Sequence, residues 1–427
     1  MKKYLDKLPK EMRGLVLLIS RLAEANNAPV YLVGGFVRDL ILGVRNLDLD
    51  IVVEGDGIKF AELLAGKLDA GVTLHRRFGT ASINAGGHLK IDIASSRLER
   101  YPAPAHLPEV TCGVLKDDLL RRDFTINAMA ISINRGDFGR LIDCFRGKDD
   151  LIGEKIRILH PVSFIDDPTR ILRAVRFEQR YGFKIEPVTL GLLKEANALK
   201  MLQKVQPHRV RDELILILKE ERPLLPLIRI KGLTGLGFIN DGLSLSKGAQ
   251  GLLESAASQI RWFRSNFPKR RKLDSWLIYL MALLDPLNIR SIQSICSRFA
   301  MRKGEEKRLV ACKKTGGVFI RKLSSKTTRP SQVHKLLEPL SYETIIFIRA
   351  KFKNKYLRKN INNFFGVYNG MRVHITGADL HKLGLTPGPY YQKIFRQVLG
   401  AKLDGLVTTK QEELELIGRI IKKRKIK

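Results

Sequence analysis

Cysteine is scarce. The chain of 427 residues has four, Cys112, Cys144, Cys296 and Cys312, scattered and never in a C-x-x-C pair. That excludes a disulfide framework and a cysteine-based metal site, and suits free thiols in a reducing cytosol. No run of about 18 apolar residues occurs, so no hydrophobic membrane span is expected. The opening MKKYLDKLPKEMRG has no apolar signal core and reads as the start of a helix over 1–27. No repeat of about 20–50 residues is visible. Acidic residues are also short: 43 Asp and Glu face 76 Lys and Arg, a net charge of +33.

That imbalance is regional. Residues 1–200 carry a net +5 and residues 201–427 a net +28. The densest basic stretches are PKRRK (268–272), KFKNKYLRK (351–359) and KKRKIK (422–427). A field of this size and sign attracts a polyanion, and nucleic acid fits it better than a membrane surface.

The length predicts two to four domains. Apolar alternation places strands at 29–33, 48–53, 81–85, 89–94, 126–133 and 140–142, with helices near 36–42 and 57–69. This mixed α/β unit ends near residue 150. Beyond it strands become scarce. Helical patterns cover DDPTRILRAVRFEQRYGF from residue 166, then 188–198, 208–220, 250–265, 274–284 and 289–301. Residues 221–238, rich in Pro and Gly, read as a break.

The most informative stretch is YLVGGFVRDLILGVRNLDLDIVV, residues 31–53. Strand side chains alternate, so Asp48 and Asp50 share one face, about 7 Å apart along the strand. Leu47, Leu49 and Ile51 point the other way, into a core. Buried acids are costly unless partnered. Two carboxylates at this spacing can share divalent ions, and Mg²⁺ takes such oxygen ligands together with substrate phosphates. Asp92, in LKIDIAS, is a candidate third acid. Gly34 and Gly35 allow backbone N–H groups to approach a phosphate, and Arg38 sits one helical turn on, where a guanidinium can clamp a triphosphate.

The pattern Gly34-Gly35-x-Val37-Arg38-Asp39, Gly43, Asp48-x-Asp50 resembles the head domain of the class II tRNA nucleotidyltransferases and bacterial poly(A) polymerases. These belong to the DNA polymerase beta-like nucleotidyltransferase superfamily. Two further blocks carry the same resemblance. RRDFTINA (121–128) resembles the family's nucleotide-binding block and implies a phosphate role for Arg122 and a ribose 2′-OH role for Asp123, with Asn127 in the same site. Read alone, the Arg–Asp neighbours are equally a structural pair. DDPTRILRAVRF (166–177) resembles the base-reading motif. It implies that Asp167 and Arg170 face the incoming base, and that Arg173 and Arg176 bind phosphate or brace the reader.

The chemistry agrees with that implication. A carboxylate only accepts and a guanidinium only donates. Cytosine and adenine present an amino donor beside a ring-nitrogen acceptor, whereas guanine and uracil present the reverse. The pair therefore admits C and A without a template. Downstream, QPHRVRDEL (206–214) keeps Arg209, Glu213 and Leu214 of the family pattern but has Gln206 and His208, which places the bracing of the reader in question.

The Pro-rich stretch 97–119 resembles the family's mobile loop. Residues 375–416, with LGL-x-PGP and LDG, resemble its tail. The resemblance implies an α+β nucleotidyltransferase head with a mixed sheet over 1–150. An all-α neck (151–220), body (221–360) and tail (361–427) would follow. It also implies tRNA held by its acceptor and T arms, ATP and CTP as substrates, Mg²⁺ as cofactor, no membrane association and a cytoplasmic enzyme. The expected activity is addition or repair of the tRNA 3′ CCA. A-only, CC-only or poly(A) addition is the nearest alternative, an RNA-binding protein on an inactive head is a rival of another class, and a nucleotidyltransferase for small molecules is the third.

Overall fold

The computed structural model describes residues 2–6, 8–86 and 89–424. The chain divides into two compact units. The first comprises residues 1–214 with 232–234, and the second 215–231 with 235–427.

The first unit is built on a seven-stranded mixed sheet. Its strands are β1 (Val30–Val33), β2 (Asp48–Val53), β3 (Val72–His75), β4 (Thr80–Asn84), β5 (Lys90–Ser95), β8 (Ala130–Ser132) and β9 (Leu141–Ile142), in the order β3-β4-β5-β2-β1-β8-β9. Only β2 and β5 pair in parallel; the other neighbours are antiparallel. β6 (Arg97–Arg100) and β7 (Glu109–Cys112) form a separate antiparallel ribbon. A short parallel pair joins β10 (Lys155–Ile156) to β11 (Lys184–Ile185).

Helices α1 (Lys2–Leu5), α2 (Lys10–Ala25), α3 (Gly34–Leu42), α4 (Gly57–Leu68), α5 (Leu115–Leu120) and α6 (Gly147–Ile152) accompany the sheet. α4 lies against β2, β4 and β5. Its Phe60, Ala61 and Leu64 are buried, as are Leu49 and Ile51 of β2 and Ile91 and Ile93 of β5. Burying each large aliphatic side chain contributes about 1.5–3 kcal/mol, so the apolar alternation fixes which face of β2 turns inward. α7 (Ser163–Asp166), α8 (Thr169–Tyr181), α9 (Pro187–Ala198), α10 (Met201–Lys204) and α11 (Pro207–Leu218) follow.

The second unit is helical: α12 (Leu224–Thr234), α13 (Lys247–Asn266), α14 (Ser275–Leu283), α15 (Ile289–Arg298), α16 (Lys303–Lys314), α17 (Gly317–Leu323), α18 (Pro330–Leu337), α19 (Tyr342–Lys351), α20 (Lys355–Gly366), α21 (Gly377–Lys382), α22 (Pro389–Leu403) and α23 (Lys410–Arg424). Glu343 is fully buried and takes a two-point contact from Arg271 at 2.8 Å on each oxygen. Ile375, Leu380, Ile394, Val398 and Ile417 form a cluster of their own near the C-terminus. The last residues of the basic run 422–427 lie outside the described residues.

The local readings need four corrections. The helix expected over 1–27 is interrupted, because Pro9 stands at the N-cap of α2. The strand expected over 126–133 is a 3₁₀ turn at Thr125–Asn127 followed by the short β8; a buried apolar run does not by itself distinguish strand from turn. The Pro-rich stretch 97–119 contains the β6–β7 ribbon and α5. The break expected over 221–238 contains α12, since Pro223 and Pro226 fall at its cap and first turns, where a missing N–H costs nothing, and Gly235 closes it at φ +69°.

Candidate active site

The acids come first. β2 and β5 run parallel with Asp50 opposite Asp92 and Asp48 opposite Lys90. Neighbouring strands lie about 4.8 Å apart, so Asp48, Asp50 and Asp92 stand on one face. Asp48 is exposed, and Asp50 and Asp92 are half-buried. Burial, with Asp92 and Asp48 close by, pushes the Asp50 carboxyl up to about 6 against the opposing pull of Arg122. Asp92 accepts from Ser82 Oγ at 2.5 Å and from Lys90 Nζ at 2.6 Å, so both its oxygens are engaged.

Among the described residues no three carboxylate, imidazole or thiolate groups converge as a complete metal cage. The donor set nevertheless fits a hard divalent ion. Asp48 and Asp50 offer oxygen ligands whose charge Arg122 and Lys90 offset only in part, since the Asp50 carboxyl still sits at about 6, and substrate oxygens and water would complete the shell.

Gly34 and Gly35 open α3 directly after β1. Gly34 adopts φ +67°, and a Cβ there would lie 2.6 Å from Arg122 Nη1. A Cβ on Gly35 would lie 3.4 Å from Arg38 Nη2 and 3.8 Å from Asp50 Oδ2. The glycine pair is thus what lets two guanidiniums and a carboxylate crowd the turn. Arg122 Nη2 donates to Asp118 Oδ2 at 2.9 Å. Its Nε is buried without a hydrogen-bond partner among the described residues.

Arg38 is buried. It donates to Asp39 Oδ1 at 2.9 Å and to Asn127 Oδ1 at 2.6 Å, and its guanidinium lies 5.4 and 5.0 Å from the ring centres of Phe177 and Tyr181. Asn127 Nδ2 donates onward to Asp123 Oδ1 at 2.8 Å. Asp123 Oδ2 receives Arg173 Nε and Nη2 at 2.9 and 2.5 Å. Burial opposes ionisation of Asp123, but the charge of Arg173 and the hydrogen bonds from Asn127 and Arg173 outweigh it and hold the carboxyl at about 2. Arg173 Nη1 and Arg176 Nη2 both reach Glu213, at 3.0 and 3.2 Å. A continuous chain of charge-assisted hydrogen bonds therefore runs from Asp39 through α8 to α11.

Asp167 ends α7, and its Oδ1 accepts from Thr169 N at 3.1 Å and Thr169 Oγ1 at 2.6 Å. Its Oδ2 pairs with Arg209 Nη2 at 2.8 Å. Arg170 is buried, with Nη1 on Ser163 Oγ at 2.5 Å and Nη2 on the Arg121 carbonyl at 2.8 Å. Leu172 and Val175 are buried, whereas Phe177, expected to sit off this ridge, lies against it, its ring centre 5.7 and 4.8 Å from the Arg173 and Arg176 guanidiniums. Despite Gln206 and His208, α11 holds Asp167 through Arg209 and α8 through Glu213.

One cavity of about 730 Å³ gathers Gly35, Arg38, Asp50, Arg122, Asp123, Asn127, Asp167, Arg170, Arg173 and Arg176. Gly34, Asp48 and Asp92 are not in its lining. Sequence reasoning gave no site role to Glu99, Tyr101 and Arg121, which also line it, and did not single out Asp118, fully buried and gripping Arg121 and Arg122 together. The i, i+3 and i, i+4 spacing of Asp118 to those arginines was the available signal.

Residues 30–157 match the family model described as the Poly A polymerase head domain. The chain is 38% identical over 418 residues to the A-adding tRNA nucleotidyltransferase of Geobacter sulfurreducens, covering 97% of this chain and 47% of that protein. It thus spans about half the length of that relative. It is 32% identical over 411 residues to the A-adding tRNA nucleotidyltransferase of Halalkalibacterium halodurans, covering 94% and 91%. Among solved structures, an apo form of a CCA-adding enzyme superposes with a TM-score of 0.77 at 36% identity, covering 97% of each chain.

Proposed function

The chain belongs to the tRNA nucleotidyltransferase family with a poly(A) polymerase head domain, and on that premise we propose that it adds nucleotides to the 3′ end of tRNA without a template. The observation that carries this reading is the register of Asp50 against Asp92, at the edge of a cavity whose other walls hold Arg122, Asp167 and Arg170. The RNA 3′-hydroxyl attacks the α-phosphate of a nucleoside triphosphate, and pyrophosphate leaves. Asp48 and Asp50 would hold a divalent ion, Mg²⁺ in our reading, which would supply charge neutralisation at the phosphoryl group.

The protein's own part is positioning and fixed charge. Gly34 and Gly35 keep the turn free of side chains for the triphosphate. Arg122, with its unpartnered buried Nε, and Arg38 hold phosphate oxygens. Asp123, kept ionised by Arg173, orients Asn127 and offers an acceptor for the ribose. Asp167 accepts from, and Arg170 donates to, the base edge, while Arg173 and Arg176 with Glu213 keep the reading helix in place. Asp92 anchors Lys90 beside the acids.

This assigns CTP and ATP as substrates and the CCA end as product. The basic second half holds the acceptor and T arms of the tRNA. A second reading, addition of A alone, is favoured by the names of the two relatives above. Both are tested by extending transcripts ending at the discriminator base, at C and at CC, with CTP and ATP separately and together. Three-nucleotide extension of the shortest transcript supports CCA addition. Extension of the CC transcript alone supports A addition, and no extension of any overturns the reading.

A further inference from the structure

Away from the site above, the second unit contains a cavity of about 360 Å³ beside α13 and α14. Lys219 and Arg222 enter it from the segment after α11, Arg261 and Arg264 from α13, and Ser275 and Tyr279 from α14. Its floor is apolar, formed by the buried Leu218 and Ile260. The volume lies at the small end of ligand pockets, which run to about 300–1,000 Å³, and it accommodates a single nucleotide.

The lining is rich in donors. Arg261 and Arg264 stand three residues apart on one helix, so their guanidiniums share a face. Arg264 Nη2 donates to Ser275 Oγ at 2.9 Å, which leaves the Ser275 proton available to another acceptor. Tyr279 is buried, and burial raises its phenol pKa against the pull of Arg264 and Arg261, so it too offers a proton. The side chains of Lys219, Arg222 and Arg261 have no hydrogen bond or ion pair among the described residues. Glu220 and Glu221 also border the cavity, so four cations face two carboxylates.

Guanidinium forks from two elements, with hydroxyl donors between them, match the tetrahedral oxygens of a phosphate better than a planar carboxylate. We propose that this cavity is a second phosphate-binding site, taking a nucleoside phosphate, and that its occupant is a nucleotide of the bound RNA. The regional charge favours RNA over a free nucleotide, since residues 201–427 carry +28, an excess suited to a polyanion. The choice of RNA as the source rests on the tRNA reading; the phosphate site does not.

The test is the Arg222→Ala/Arg261→Ala double variant of the full chain. Both residues are exposed, and circular dichroism checks the fold. Affinity for a tRNA transcript lacking CCA is expected to fall about tenfold, and the salt slope of binding by about 1–2, one per lost phosphate contact. KM for the RNA rises while kcat at saturating RNA is unchanged. Arg222→Lys/Arg261→Lys retains most of the affinity. Unchanged RNA affinity and slope in the alanine variant overturn the proposal. Calorimetry with a non-hydrolysable ATP analogue separates the sources. The same stoichiometry in both proteins supports RNA, and a second bound nucleotide that the variant loses overturns RNA as occupant. If the wild type neither binds nor extends the transcript, the tRNA reading fails by itself. The phosphate site then stands or falls on whether the variant loses affinity for a generic RNA oligonucleotide.

Discussion

Asp123 and Arg173, fifty residues apart in the chain, meet through two hydrogen bonds to one carboxylate oxygen, at 2.9 and 2.5 Å. The acid expected to face a ribose is thereby also the anchor of the helix expected to read the base. The positions expected for sugar recognition and for base recognition thus share one ion pair.

Asp123→Asn should destabilise the protein by about 3 kcal/mol at neutral pH, since it leaves a largely buried Arg173 short of a counter-charge. The sign with pH follows from the depressed carboxyl at about 2, against an ordinary 3.8. Its contribution is present above about pH 4 and is lost as the pH falls toward 2. Denaturant unfolding of both proteins from pH 7 to pH 2 should show the deficit shrinking on acidification. A deficit constant with pH would rule out the ion pair as its cause.

Gly34→Ala should damage both stability and nucleotide binding. The residue adopts φ +67°, and the new methyl would lie 2.6 Å from Arg122 Nη1. The left-handed backbone alone costs about 1–2 kcal/mol, and Arg122 must move away from the turn. Thermal melting should show Tm lower by about 2–8 °C, and KM for the nucleoside triphosphate should rise. Gly43→Ala, at φ +70° with nothing within 4 Å of its Cβ, should lower Tm but leave KM unchanged.

Asp48→Ala and Asp50→Asn should each reduce nucleotide incorporation by about 10³-fold or more, as expected when a charge-stabilising group is removed from a transition state. Folding should be intact, because Asp48 is exposed and Asp50 only half-buried. Single-turnover extension of a labelled transcript measures this. Full activity in either variant would remove that residue from the metal assignment.

Glu213→Gln should relax base choice. It withdraws the charge that holds Arg173 and Arg176 at 3.0 and 3.2 Å without emptying the space. Incorporation of UTP or GTP relative to ATP is expected to rise about tenfold, equivalent to about 1.4 kcal/mol of lost discrimination. Competition assays with paired nucleotides read this ratio directly. An unchanged ratio with a lower overall rate would make Glu213 a support of the fold alone.

Much of the site was legible because it depends on short-range chemistry. A strand alternates its side chains, so Asp48 and Asp50 had to share a face. Arginines three residues apart on α8 had to form one ridge, whereas the Gly34 N–H, expected to face a phosphate, is buried and donates to the Met129 carbonyl at 3.3 Å. Less legible were elements whose pattern is weak or interrupted. The exposed β7 is only four residues long and buries neither face, and α12 begins among prolines that a linear reading takes as breakers.

The sequence alone therefore determined which groups stand together: two carboxylates on β2, a glycine pair, an arginine ridge and a basic second half. Periodicity and residue type settle those without knowledge of the fold. Tertiary structure decided who partners whom. It set Asp92 beside Asp50 and then engaged it with Ser82 and Lys90. It gave Asp123 to Arg173, and used Arg209 and Glu213 to hold Asp167 and α8 although Gln206 and His208 depart from the expected pattern. Strand register and helix packing are set by the burial of distant apolar faces, and no local motif encodes which two of those faces will meet.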